Sequence, residues 1–223
     1  MRFRFLFVLV AALAGLVGLG LDFYVIAGSM TPSAAFPVAR SFPNMLIYYW
    51  TFLTNLSNLG LLMVYLSAET KVGWLAWFRH PVTRAGMAGI MMLVMGFYHF
   101  MLAPSYHFTG PIVISNYLLH YVTPVLYLAW WLAFTGHGTL RYRDLPAMLL
   151  PGILYVVYVL VRGLIAGEYP YTILDPTFAI PGHPAQGYLG VAIGVGILVA
   201  MVAIFDLVLV AVDGLLARRT RPA

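Results

Sequence analysis

Six stretches of this chain are apolar for long enough to cross a bilayer. They fall at about 5–28, 46–67, 86–104, 112–134, 147–166 and 188–211. Each is close to the ~20 residues that a helix needs to span a hydrocarbon core. A spanning segment must satisfy its backbone internally, which selects helices for runs of this length. The pattern predicts an all-α membrane protein, a six-transmembrane-helix bundle forming a single integral membrane domain over residues 1–223.

Composition sharpens this reading. Hydrophobic residues make up 62% of the chain and charged residues 9%, against about 25% charged in an ordinary globular domain. The mean hydropathy is +0.91. Ten of the twelve Lys and Arg residues fall before the first run, between the second and third, between the fourth and fifth, or after the sixth. They are Arg2, Arg4, Lys71, Arg79, Arg84, Arg141, Arg143, Arg218, Arg219 and Arg221. Only Arg40, in an opposite-side loop, and Arg162, inside a run, depart from that side. The positive-inside rule then places both termini in the cytoplasm. The net charge of +5 is accounted for by topology, and no nucleic acid is needed to explain it. The N-terminal "MRFRFLFVLVAALAGLVGLGL" resembles a signal peptide in outline. Its apolar run is too long and lacks a good small-x-small site, so it reads as a retained span.

There is no cysteine, which excludes disulfides, thiol nucleophiles and Cys-ligated metals. The only lysine, Lys71, sits in a polar loop, which excludes an intramembrane Schiff base.

Polar residues interrupt the apolar runs at one level. In "YYWTFLTNLSNLG", Thr51, Thr54, Asn55 and Asn58 follow i, i+3, i+4, i+7 spacing and so are expected on one helical face. Ser57 reads as a hydroxyl bonded to its own helix. Thr54 is expected ~12 Å below the helix start and His120, in "SNYLLHYVTP", ~10 Å below its own. Asn116 and Thr123 flank His120 by one turn, and Pro124 removes the N–H that would otherwise pair with the His120 carbonyl. Asp22, His99 and Arg162 lie near the outer ends of the first, third and fifth runs, with Glu168 just beyond. Ionisable groups within spans usually face a bundle interior or a water-filled cavity. The shared depth predicts a polar pocket in the outer half, built mainly from the second to fifth helices. Taken singly, each residue also has a structural reading: back-bonding, interhelical glue, or snorkelling with Arg162 paired to Glu168. Gly190 and Gly194 read as a close packing contact. Asp206 and Asp213 fall toward the other end of the last helix, the first expected to pair with a basic loop residue and the second to be interfacial near Arg218.

A threonine hydroxyl becomes a nucleophile when a base takes its proton, and a histidine within reach can do so. Thr54 or Thr51 with His120 therefore permits hydrolysis of an ester within the bilayer. Asn55, Asn58 and Asn116 are the expected polar support and a possible oxyanion site. Asp22, His99, Arg162 and Asp175 are further candidates, Arg162 as an anchor for a substrate carboxylate. The Pro- and Gly-rich loop 167–187 is expected to cover the mouth.

The blocks "YYWTFLTNLSNL", "HYVTP" followed by "WW", and "YPYTILD" occur in an order and spacing that resemble the androgen-induced-gene family of six-pass membrane proteins, in its bacterial branch. They span roughly residues 48–175. The resemblance implies a multi-pass protein of the bacterial cytoplasmic (inner) membrane. It also implies an intramembrane Thr/His hydrolase of fatty acyl esters, with membrane lipids as partners, no cofactor and no metal. The histidine carried over is His120. "WTFL" matches the animal pattern and points to Thr51, while "LTNLSNL" matches the bacterial one and points to Thr54. Bacterial members often carry an Asp before the Trp that follows the His–Pro block, where this chain has Ala129.

Other classes fit some of the same residues. A proton-coupled carrier would use Asp22, His99, His120 and Arg162 as a relay, though no inverted repeat is visible. A haem protein would ligate iron with His99 and His120. An outer-face metal site would draw on His99, His107 and His183, without a tight ligand motif. A structural membrane protein with no catalysis is the fourth.

Overall fold

The computed structural model describes residues 2–33, 36, 39–105 and 109–219. His107 and Arg221 lie outside the described residues. Among the described residues the chain is all-helical: α1 (Arg2–Ala27), α2 (Phe42–Tyr49), α3 (Leu53–Glu69), α4 (Ala76–Arg79), α5 (Pro81–Phe97), α6 (Pro111–Tyr117), α7 (Thr123–Phe134), α8 (Leu145–Ala166) and α9 (Gly187–Arg219). Two π-helical segments, Tyr98–Leu102 and Leu118–Val122, extend α5 and join α6 to α7. Five helices are long and apolar enough to cross a membrane. The number rises to six if the bent pair α2–α3 counts as one span. This is the architecture of an all-α, multi-pass membrane protein.

α5 is the axis of the bundle, packed on α3, α7, α8 and α9. In its most apolar window 56% of residues are buried, against 17–33% in the other four long spans. Small residues make this possible. A Cβ on Gly86 would meet the Met148 carbonyl oxygen at 2.9 Å, and Gly89 lies directly against the Asp206 carboxyl. Backbones without side chains between them approach closely, which is the main source of helix affinity in lipid. α1 uses the same device: a Cβ on Gly18 would meet Leu119 Cγ at 2.9 Å, so α1 rests against the π segment that carries His120. Gly194 packs against Ile173 of the loop rather than against another helix.

The expected second helix is broken. α2 and α3 meet at 73° across Trp50–Phe52, so Thr51 lies in the break and only Thr54, Asn55 and Asn58 share the α3 face. A break inside a membrane exposes backbone groups that need partners. Here side chains supply them. Thr51 Oγ1 donates to Ile47 O at 2.6 Å, and Asn55 Nδ2 donates to Tyr49 O at 3.0 Å. Tyr155 donates to Thr51 O at 2.9 Å, and the Leu53 N–H donates to the Tyr171 hydroxyl at 3.2 Å. Much of the polarity in the "WTFLTN" stretch is the cost of a bend.

Helix ends also differ from the hydropathy reading. α5 begins at Pro81, five residues early, because proline suits the first helical turn and His80 Nδ1 accepts the Val82 N–H at 3.3 Å. α9 runs to Arg219 because Asp213 is buried in contact with the turn before α8. Its carboxylate accepts from the Gly138 and Leu140 N–H groups, both at 2.9 Å, and lies 3.1 Å from His137 Nδ1. Asp213 is thus a loop anchor and not an interfacial partner of Arg218. Asp206 does not pair with a loop base: it is fully buried, and neither oxygen has a hydrogen-bond partner among the described residues. At the same end Arg4 binds Glu69 at 2.9 Å, tying α1 to α3.

Candidate functional site

α3 and the Leu118–Val122 segment bring Thr54 and His120 together. Thr54 Oγ1 lies 3.1 Å from His120 Nε2, and His120 Nδ1 lies 3.1 Å from the Asn116 carbonyl oxygen. A carbonyl only accepts, so Nδ1 carries the proton and donates to Asn116 O. Nε2 is then the lone-pair nitrogen, and it receives the Thr54 hydroxyl proton. A backbone carbonyl here does what a carboxylate does elsewhere: it fixes the tautomer of a base against a hydroxyl. Both side chains are buried. The Tyr98 ring stacks on the imidazole at 3.9 Å between centroids and holds its plane.

The π segment sets this geometry. Within it the Thr123 N–H bonds Leu118 O rather than Leu119 O, and the next residue, Pro124, has no N–H to offer. The carbonyl bonded by side chains is therefore that of Leu119, not that of His120 as a regular helix would have it. Asn58 Nδ2 reaches Leu119 O at 3.2 Å, and Thr123 Oγ1 reaches it at 3.3 Å. Asn58 also donates to Thr54 O at 2.8 Å and accepts from Thr123 Oγ1 at 2.6 Å. One asparagine thus clamps the segment carrying the base to the turn carrying the hydroxyl. The Tyr98–Leu102 segment is built alike: the Ala103 N–H bonds Tyr98 O, and Pro104 follows.

A cavity of about 70 Å³ opens beside the pair. Thr54, His120, Tyr98, Tyr155 and Tyr171 supply its polar edge, and aliphatic side chains of α5, α8 and α9 make the rest. It is mostly apolar, with a few convergent polar groups, as small-molecule sites usually are. The broad polar pocket that shared depth implied is not what forms, because most of those side chains are engaged with backbone.

Thr51 is 0% exposed and bonded within its own helix turn. Asn55 divides its amide between Tyr49 O and Asp22 Oδ2, the latter at 2.8 Å, so Asp22 buttresses the break. With Asn55 and Asn58 both committed, neither is placed as an oxyanion donor. Asn116 contributes its carbonyl; its side chain returns to Ile112 O at 3.0 Å. His99 pairs with the Tyr121 hydroxyl at 3.1 Å on an exposed side and does not line the cavity. Asp175 holds its own loop through the Thr177 N–H and hydroxyl at 2.8 and 2.7 Å. Arg162 donates to Glu168 O and Oε2 at 2.8 and 3.0 Å, away from the cavity. Ser57 bonds Thr54 O at 3.1 Å, as expected.

For iron, both ring nitrogens of His120 are already engaged and His99 faces Tyr121, so the two are not presented as a ligand pair. Among the described residues no three His, Asp or Glu side chains cluster.

Three tyrosines were not singled out by the sequence. Tyr98 stacks on the base. Tyr155 caps the break. Tyr171 accepts from Leu53 N–H and lines the cavity together with Thr54 and Tyr155. Burial pushes the Tyr171 phenol up, so the hydroxyl stays protonated. The sequence signal for Tyr171 is its place in the "YPYTILD" block.

These features define a multi-pass α-helical membrane protein with a buried, oriented Thr–His pair at the edge of an apolar cavity. No family model, curated protein or solved structure matches the chain.

Proposed function

We propose that this chain is an intramembrane hydrolase of lipid acyl esters, with Thr54 as nucleophile and His120 as base. The observation that carries the reading is the 3.1 Å Thr54–His120 contact with the imidazole held in the accepting tautomer by Asn116 O. The resemblance of the "LTNLSNL", "HYVTP" and "YPYTILD" blocks to the androgen-induced-gene family supports the same pair. The proposed setting is a bacterial cytoplasmic membrane with six spans and both termini inside, supported by the ten basic residues at one end.

In this mechanism the Thr54 proton passes to His120 Nε2 as Oγ1 attacks the ester carbonyl carbon. The carbonyl π bond opens to an oxyanion, and the Tyr171 hydroxyl beside Thr54 donates to it. Collapse expels the alkoxide, which takes the proton from Nε2 and leaves an acyl-Thr54 ester. Water, deprotonated by Nε2, attacks that ester. The acid departs as Thr54 recovers its proton from the imidazolium. Tyr98 keeps the imidazole in plane while its charge changes. The apolar remainder of the cavity faces the acyl side of the ester.

The test is hydrolysis of a long-chain 4-methylumbelliferyl ester by purified protein in nanodiscs. Wild type turns over, Thr54→Ala and His120→Ala lose about 10²–10⁴ in rate, and Thr51→Ala stays near wild type. Equal rates in wild type and Thr54→Ala would exclude this mechanism.

A further inference from the structure

Among the described residues, Arg40 and Arg162 are the basic residues that fall outside the basic loops, and the fold brings both to one carboxylate, Glu168. They line a groove of about 1,320 Å³ at the opposite end of the bundle. That exceeds the usual ~300–1,000 Å³ of a small-molecule pocket. Its floor is charged and its rim is apolar: Ile47, Val157, Val161 and Ile165 are each at least half exposed.

We propose that this groove binds the phosphate of an anionic phospholipid in the outer leaflet. Charge is the first argument. Two guanidinium groups meet one carboxylate, and among the described residues no other acidic side chain lines the groove, so one positive charge is left over. Preorganisation is the second. The Arg40 N–H donates to Ser29 O at 2.9 Å, and its guanidinium sits 3.9 Å above the Tyr48 ring centroid. Arg162 is held by Glu168 through its two terminal nitrogens, and its Nε–H is buried without a partner among the described residues. Guanidinium groups fixed in this way match phosphate oxygens without further ordering. Depth is the third: Arg162 is four residues from the end of α8, ~6 Å by helical rise, where headgroups lie. The exposed aliphatic rim suits the glycerol and upper acyl chains and would repel a free polar anion.

Along α8 the groove is followed by two further pockets, the last of them at the Thr–His pair. Tyr155, Tyr158 and Arg162 follow i, i+3, i+7 on one face of α8. Tyr158 lines the groove and an intermediate opening, and Tyr155 lines that opening and the cavity at Thr54. From Arg162 to Tyr155 is ~10 Å along the helix. A lipid held at Arg162 thus hangs its chains beside that opening. The headgroup site stands independently of whether Thr54 is a nucleophile.

Lipid retention measured by native mass spectrometry tests the proposal. It is run in a Thr54→Ala background so that no turnover consumes lipid. The probes are dioleoylphosphatidylglycerol, dioleoylphosphatidylcholine and oleate, each at equal mole fraction. The expected result is one retained phosphatidylglycerol per chain, at least ~10-fold preferred over phosphatidylcholine, roughly what one desolvated charge-assisted contact gives. Arg40→Gln with Arg162→Gln removes that preference; Arg141→Gln with Arg143→Gln, at the basic end, does not. Glu168→Gln removes the negative charge that offsets the two guanidinium groups and raises retention. It also keeps the test decisive if the double arginine variant does not fold. Unchanged preference in the double variant, no gain in Glu168→Gln, or oleate retained above phosphatidylglycerol would each overturn the assignment.

Discussion

At the scale of single residues, two hydroxyls three positions apart have opposite fates. Thr51 spends its proton on Ile47 O at 2.6 Å, while Thr54 presents its proton to an imidazole at 3.1 Å. Sequence spacing placed them on one face and could not separate them, because it did not show that the helix breaks between them. Tyr171 gives the sharpest prediction at this scale. Tyr171→Phe keeps the ring and removes one oxyanion donor, so kcat falls about 10²-fold with KM little changed, read from steady-state ester hydrolysis. A loss confined to KM would remove the phenol from the transition state. His99→Ala, whose side chain faces Tyr121, is expected to leave turnover within about twofold, on the ground that truncations away from a site change little.

At the scale of elements, the site depends on two departures from regular helix, and hydropathy shows neither. The π segment Leu118–Val122 turns His120 toward α3 and leaves the Leu119 carbonyl for Asn58. Pro124 was legible as a disturbance; the one-residue shift of the freed carbonyl was not, because it depends on which register the backbone takes before the proline. Pro104 after Ala103 is the same cue for the first π segment. Asn58→Leu should therefore act on both fold and site. It removes the Asn58 donors from the Leu119 and Thr54 carbonyls, costing ~1–2 kcal/mol as lost interhelical hydrogen bonds do in lipid, and it unclamps His120 from Thr54. Thermal denaturation in detergent and ester hydrolysis should fall together. Ser57→Ala, one residue away but bonded only to its own turn, should change neither. Loss of stability without loss of activity in Asn58→Leu would contradict the clamp.

At the scale of the whole molecule, six apolar runs and their helical character were readable directly, since lipid leaves the backbone few choices. Asp213 was not: a carboxylate near a helix end and a buried anchor for the Gly138 and Leu140 N–H groups look alike in sequence. With an almost fully buried carboxylate bonded three ways, Asp213→Ala should be among the most destabilising single changes, by about 3 kcal/mol or more, measured by unfolding in detergent. The ten basic residues in alternate loops of the sequence predict that a C-terminal green fluorescent protein fusion fluoresces and a C-terminal alkaline phosphatase fusion is inactive. The reverse pattern would invert the bundle and with it the outer-leaflet assignment of the Arg40–Arg162 groove.

The central claim is that Thr54 is a nucleophile activated by His120. Covalent labelling with a fluorophosphonate probe, followed by peptide mass mapping of the adduct, tests it most directly. The account predicts one adduct, on Thr54, that disappears in His120→Ala and persists in Thr51→Ala. An adduct on Thr51, or no adduct on folded wild-type protein, would contradict it.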